Sequence, residues 1–181
     1  MKLRIHDSVD DFRGVAVDFY RRDPIAATVE LTALRRLTDS DSARLLVTVW
    51  DGDKPIGAAL QKPPFPLLCG GLPPVTISQI VAELVRLGVH LTGVRGPSVT
   101  ASTFAAAWCA ATRAVSSVTM NERLYRLQAL RPPPGVAGDV RSADPGDIDM
   151  LVEWLMLFRQ EAFGDTPDRA ATARSVQAVS A

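Results

Sequence analysis

Arg44-Leu45-Leu46-Val47-Thr48-Val49-Trp50-Asp51-Gly52-Asp53-Lys54-Pro55-Ile56-Gly57-Ala58-Ala59-Leu60-Gln61 is the stretch that decides the fold. Arg44 to Trp50 is rich in β-branched and aromatic side chains, which suit a pleated strand. Asp51-Gly52 tolerates the positive φ angles of a tight turn, and Pro55 to Gln61 returns as the partner strand. Lys62-Pro63-Pro64-Phe65-Pro66 then interrupts the pattern, because prolines cannot donate to a ladder. Pro66 to Cys69 is a third short strand, ended by Gly70-Gly71. These three segments predict an antiparallel meander.

Helical periods surround the meander. Upstream, Lys2 to His6 alternates as a strand, and Asp7 or Ser8 caps a helix with Val9, Phe12, Ala16, Phe19 and Tyr20 on one face. Asp23-Pro24 opens a second helix carrying Ile25, Val29, Leu34 and Leu37, since proline suits a first helical turn. Downstream, Ile77, Ile80, Val81, Leu84 and Leu87 mark a helix over 75–87, closed by Gly88. Leu91 to Arg95 is a strand, Phe104, Ala107, Trp108 and Ala111 lie on an alanine-rich helix, and Val118 to Leu130 is a last strand or strand pair.

The opening pattern then recurs. Lys2-Leu3-Arg4-Ile5-His6 followed by a helix is echoed by Asp139-Val140-Arg141-Ser142-Ala143 followed by a helix with Ile148, Leu151, Val152, Leu155 and Phe158 as its stripe. Between them Arg131-Pro132-Pro133-Pro134-Gly135 forms a semi-rigid linker. The division expected is a complete unit over 1–130, a linker over 131–138, and an unfinished β-α-α repeat over 139–181 whose last helix, Pro167 to Ala181, is weakly apolar.

Bulk composition narrows the functional classes. The chain has 181 residues, 47% of them hydrophobic, and its 20 basic and 20 acidic residues cancel. That core is sizeable, and the absence of a basic face disfavours nucleic acid and anionic membrane as partners. Two cysteines, Cys69 and Cys109, and two histidines, His6 and His90, supply too few ligands for a zinc site and no disulfide framework. No signal-peptide core precedes the first helix, and the expected location is the cytoplasm.

The element order β-α-α-β-β-β-α-β-α-β is similar to the GNAT N-acetyltransferase fold, a mixed α/β (α+β) architecture whose mainly antiparallel sheet is flanked by helices. The wording resembles the N-terminal portion of actinobacterial tandem GNAT acetyltransferases. It does so in Val49 to Leu60, Pro63 to Leu68, Glu122-Arg123-Leu124-Tyr125-Arg126-Leu127, Leu151-Val152-Glu153-Trp154-Leu155 and Glu161-Ala162-Phe163. The resemblance implies a degenerate first domain, a catalytic second domain, and acetyl-CoA as the cofactor for acetyl transfer to an amine.

The resemblance also locates the test of activity. The family grips the acetyl-CoA pyrophosphate with an Arg/Gln-x-x-Gly-x-Gly/Ala loop after the fourth strand, whose N–H groups and following helix N-terminus cradle the anion. The equivalent here is Cys69-Gly70-Gly71-Leu72-Pro73-Pro74. The glycines permit close approach, but Pro73 and Pro74 remove two donors, and no Lys or Arg stands between Lys62 and Arg86. Cys69, Gly70, Gly71 and Leu72 are therefore a degenerate cofactor-binding candidate. The tyrosine that often serves the family as acid has no counterpart around Phe104 to Arg113. The sequence thus offers no catalytic residue, and the expectation is an inactive or very weak enzyme.

Other residues receive structural roles. Cys69 is a small hydrophobe rather than a nucleophile, and the histidines have no sequence-evident partner. No Gly-x-Ser-x-Gly elbow occurs. Asp144, Asp147, Asp149 and Glu153 complement a helix N-terminus rather than bind a metal. Trp154-Leu155-Met156-Leu157-Phe158 covers more than one helical face, so it predicts either an exposed apolar patch or docking onto the first domain. Two alternatives follow. In one the chain is a non-catalytic interaction or dimerisation module that uses Trp154, Leu155 and Phe158. In the other it is a small-molecule binder between the fourth and fifth strands, lined by Leu67, Leu68, Leu91 and Val94, for which the sequence offers no convergent polar group.

Overall fold

Alternation along the central hairpin sends its side chains to opposite sides, and both sides are covered. A computed structural model describes residues 1–40, 44–135, 137–164 and 166–180. Val136 in the expected linker and Ala181 at the end of the expected last helix lie outside the described residues. The chain divides into two compact units, Met1–Gln128 and Ala129–Ala181. Together the described residues form a mixed α/β structure with a five-stranded, mostly antiparallel sheet and six α-helices.

In the first unit, β1 (Lys2–Ile5), β2 (Leu45–Asp51), β3 (Lys54–Gln61), β4 (Leu67–Gly71) and β5 (Val94–Arg95) lie side by side in chain order. The first three junctions are antiparallel and the β4–β5 junction is parallel. Leu46, Ala58, Leu60 and Leu68 face one way, onto α1 (Val9–Tyr20) and α2 (Thr28–Arg35). Leu45, Val47, Val49, Ala59, Leu67 and Cys69 face the other way, onto α3 (Ile77–Arg86) and α4 (Ser98–Thr112). A period of two along the strands thus builds two cores, one on each side of the sheet. Each burial contributes roughly 1.5–3 kcal/mol per large apolar side chain.

Local chemistry sets the element ends. The Ser8 hydroxyl accepts from the Asp10 and Asp11 N–H groups at 3.2 and 3.3 Å, capping α1. The hairpin turn is Gly52-Asp53 rather than Asp51-Gly52. Asp51 pairs with Lys54, and Gly52 at the first central position carries the positive φ of 55°. That is the pattern of a turn whose twist matches the strands it joins. Two irregularities bend the sheet. β3 has an extra residue near Ile56, and β4 carries one residue more than β3 between the Leu60–Leu68 and Ala58–Gly71 pairs.

Four expected elements change. α2 begins at Thr28, not Pro24, because residues 24–27 form turns held by the Asp23 carboxylate and the Pro24 carbonyl. Ile25 and Val29 are consequently exposed, and the buried face of α2 carries Glu30 and Leu34. β5 shortens to two residues. Residues 118–130 form no strand and are exposed. Tyr125, Leu127 and Ala129 do alternate with Arg126 and Gln128, but a strand needs a partner, and the two-residue β5 offers little edge to pair with. Residues 140–143 form no strand either. A strand needs a ladder partner, and Val140 is fully exposed.

In the second unit, Asp144 and Asp147 form a reciprocal capping box ahead of α5 (Ile148–Phe163), which Gly164 ends with φ of 67°. α6 (Arg169–Ser180) packs on α5, and Arg169 reaches Glu153 at 2.8 Å. Arg141 grips Asp147 at 2.6 and 2.7 Å, and that hydrogen-bonded guanidinium holds the Asp147 carboxyl down at about 2. No group of three or more potential metal ligands assembles among the described residues. No helix of the described residues is long and apolar enough to cross a membrane.

Candidate functional site

The extra residue in β4 falls among the expected site residues and re-aims the strand. Cys69 stays on the α3/α4 side, fully buried, with its thiol 3.4 Å from the Arg95 carbonyl. Burial pushes that thiol up to about 12, so Cys69 is a protonated, inert packing group at neutral pH. After the bulge, Gly70 faces α2. A Cβ at Gly70 would stand 2.4 Å from Glu30 Oε1. At Gly71 it would stand 2.5 Å from the Ala58 carbonyl oxygen and 2.8 Å from the Tyr20 ring. Both glycines are therefore places where another part of the unit closes onto β4.

The loop that follows uses up its own donors. The Leu72 N–H donates to the Cys69 carbonyl at 3.0 Å, and the Thr76 N–H donates to the Pro73 carbonyl at 3.0 Å. The Thr76 hydroxyl donates to that same Pro73 oxygen at 2.7 Å, and the Ile77 N–H donates to the Pro74 carbonyl. Pro73 and Pro74 have no N–H to offer. Val75 alone keeps one outside these bonds, in a short 3-10 turn ahead of α3.

A cavity of about 310 Å³ opens beside this loop. Phe19 and Tyr20 at the end of α1, Glu30 of α2, and Leu72, Pro73 and Pro97 supply most of its wall. Glu30 is its one charged side chain, 5% exposed. Burial raises the Glu30 carboxyl above its ordinary value; the main-chain N–H groups of Glu30 and Gly70 and the charge of Arg95 pull the other way. Arg95 itself is bound to Glu122 at 2.6 Å. Tyr20 is 2% exposed and its hydroxyl has no hydrogen-bond partner. Burial, reinforced by Glu30, holds the phenol well above its ordinary value, so it stays un-ionised.

Glu30 and Tyr20 are the polar groups that sequence reasoning did not find. Leu67 pairs with Val94 and is buried in the sheet, so the suggested apolar lining between β4 and β5 is core rather than cleft. The polar pair lies instead on the α1/α2 side. One signal was present in the sequence: Glu30, Leu34 and Leu37 are spaced i, i+4 and i+7, so the acid lies on the face of two core leucines.

The remaining candidates separate. His6 is buried, donating or accepting at Thr48 Oγ1 over 2.8 Å, and burial lowers its pKa below 6.5. Trp154, Leu157 and Phe158 on α5 are exposed, Trp154 by 60%, and Leu155 is half-buried. Compared with known proteins, the chain matches no family model, no curated protein and no solved structure.

Proposed function

We propose that the 1–128 unit is a degenerate GNAT-like N-acetyltransferase domain that does not itself carry out acetyl transfer. The order β1-α1-α2-β2-β3-β4-α3-β5-α4 supports the family reading, and the strand expected after α4 does not form. One observation carries the loss of activity: the loop after β4 spends its main-chain donors on its own carbonyls. A pyrophosphate needs several convergent N–H groups or cations. Here Val75 offers one N–H, no Lys or Arg stands between Lys62 and Arg86, and the charge that lines the neighbouring cavity is the acid Glu30. These residues do not fit acetyl-CoA. The direct test is thiol release from acetyl-CoA by the purified chain, with a panel of amines. The expected rate equals that without protein; turnover that scales with protein concentration would refute the proposal.

A second reading rests on α5. Trp154, Leu157 and Phe158 are all exposed on one helix, which is unusual for a helix without a partner. An interaction or dimerisation module would use that face. Sedimentation velocity over a concentration series tests it: self-association abolished by Trp154→Glu supports the module, and a monomer at every concentration contradicts dimerisation.

A further inference from the structure

We propose that the cavity beside the β4 bulge binds a small trimethylammonium compound, with the Glu30 carboxylate as counter-charge and the Phe19 and Tyr20 rings as walls. This site does not depend on acetyl-CoA or on the acetyltransferase-like reading.

Charge is the first reason. Glu30 is nearly sealed from water and makes none of the described ion pairs, while the guanidinium nearest in influence, Arg95, is engaged by Glu122 at 2.6 Å. An unpaired buried carboxylate is costly, and a cation in the adjoining space of about 310 Å³ relieves that cost.

The walls decide what kind of cation. Leu72, Pro73 and Pro97 contribute apolar surface, and the Phe19 and Tyr20 side chains line the same space. A primary ammonium brings three N–H donors, each needing an acceptor. Glu30 already leans on the Gly70 and Glu30 main-chain N–H groups, which leaves too few lone pairs to satisfy all three. A trimethylammonium group carries no N–H donor, spreads its charge over C–H groups, and matches aromatic faces. Phe19 already attracts one cation: the Arg22 guanidinium, held on the Pro55 carbonyl at 3.3 Å, stands 5.0 Å from the ring centroid. Arg22 is exposed and its charge is screened by water, so it opposes a desolvated cation only weakly.

Titration calorimetry on the full chain, without acetyl-CoA, tests the site with four probes. They are choline, tetramethylammonium, ethanolamine and the neutral choline isostere 3,3-dimethylbutan-1-ol. Choline is expected to bind about tenfold or more tighter than ethanolamine and than the isostere, a gap of about 1.4 kcal/mol. Tetramethylammonium is expected to bind as well. Glu30→Gln, which keeps the shape, is expected to lose about tenfold in choline affinity, and Phe19→Leu to weaken it as well. Undetectable choline binding, equal binding of ethanolamine or the isostere, or an unchanged affinity in Glu30→Gln would each overturn the proposal. The probe comparison needs only the unaltered protein, so it stands even if a variant folds poorly. A negative result here leaves the acetyl-CoA prediction untouched, and turnover of acetyl-CoA would leave this site untouched.

Discussion

Glu30 is stabilised poorly where it sits, and that can be measured. Its carboxyl is raised by burial, so folding disfavours the ionised form relative to the unfolded chain. A group whose pKa is higher in the folded state supports stability at pH values below its unfolded pKa. That support is lost as pH rises through the folded value. Glu30→Gln is therefore expected to raise the melting temperature at pH 7, with the gain shrinking as pH approaches about 4; equal melting of both proteins at pH 7 would contradict this. The two glycines of the bulge should respond differently. Gly71→Ala meets the Ala58 main-chain oxygen and the Tyr20 ring, neither of which can yield, and should cost about 1–3 kcal/mol in denaturant unfolding. Gly70→Ala meets the tip of Glu30, which can swing aside, and should cost less. His6 has the opposite sign from Glu30. Its pKa is lowered, mainly by burial, so its contribution is complete above about pH 6.5 and is lost as pH falls, because the unfolded chain takes up the proton first. Thr48→Val removes the hydroxyl shared by His6 Nε2 and Trp50 Nε1 at 2.8 Å each, and should destabilise by about 1–3 kcal/mol at neutral pH.

Elements governed by neighbours in sequence were legible, and those governed by distant partners were not. The meander, α1 with its serine cap, and α3 follow from alternation, turn chemistry and an i, i+3, i+4 stripe. Proline at a helix start is a local signal, and it predicts α2 a turn earlier than the structure has it. The turns at 24–27 are themselves local, held by the Asp23 carboxylate and the Pro24 carbonyl, whereas the burial of Glu30 is against Gly70, forty residues away in sequence. The same reason hides the site: nothing within a window of α2 says that its acid meets a bulge in β4. The strands expected over 118–130 and 140–143 failed because a β-prone composition still needs an edge to pair with. Hydrogen exchange tests that correction. Amides of residues 115–130 are expected to exchange at close to the intrinsic rate while β2 and β3 stay protected; protection equal to β3 would restore the strand. The loop after β4 was legible in outline, since Pro73 and Pro74 are visible in the sequence. The capture of the Leu72, Thr76 and Ile77 N–H groups by nearby carbonyls was not.

For the whole molecule, two compact units and an uncovered α5 face frame the functional question. The first unit has two cores, one on each side of a five-stranded sheet, so it holds enough buried apolar surface to keep a binding loop in one shape. That rigidity makes the wiring of the loop decisive, because donors locked onto local carbonyls are not released cheaply to an incoming anion. On the proposed reading, the loop after β4 does not grip the pyrophosphate of acetyl-CoA. Titration calorimetry of the full chain with acetyl-CoA, paired with a melting curve, examines it most directly. A ligand present at about 100 times its Kd would add about 2.7 kcal/mol to stability. No heat beyond dilution and no melting shift are expected at millimolar acetyl-CoA; a micromolar Kd with a matching shift would overturn the proposed reading.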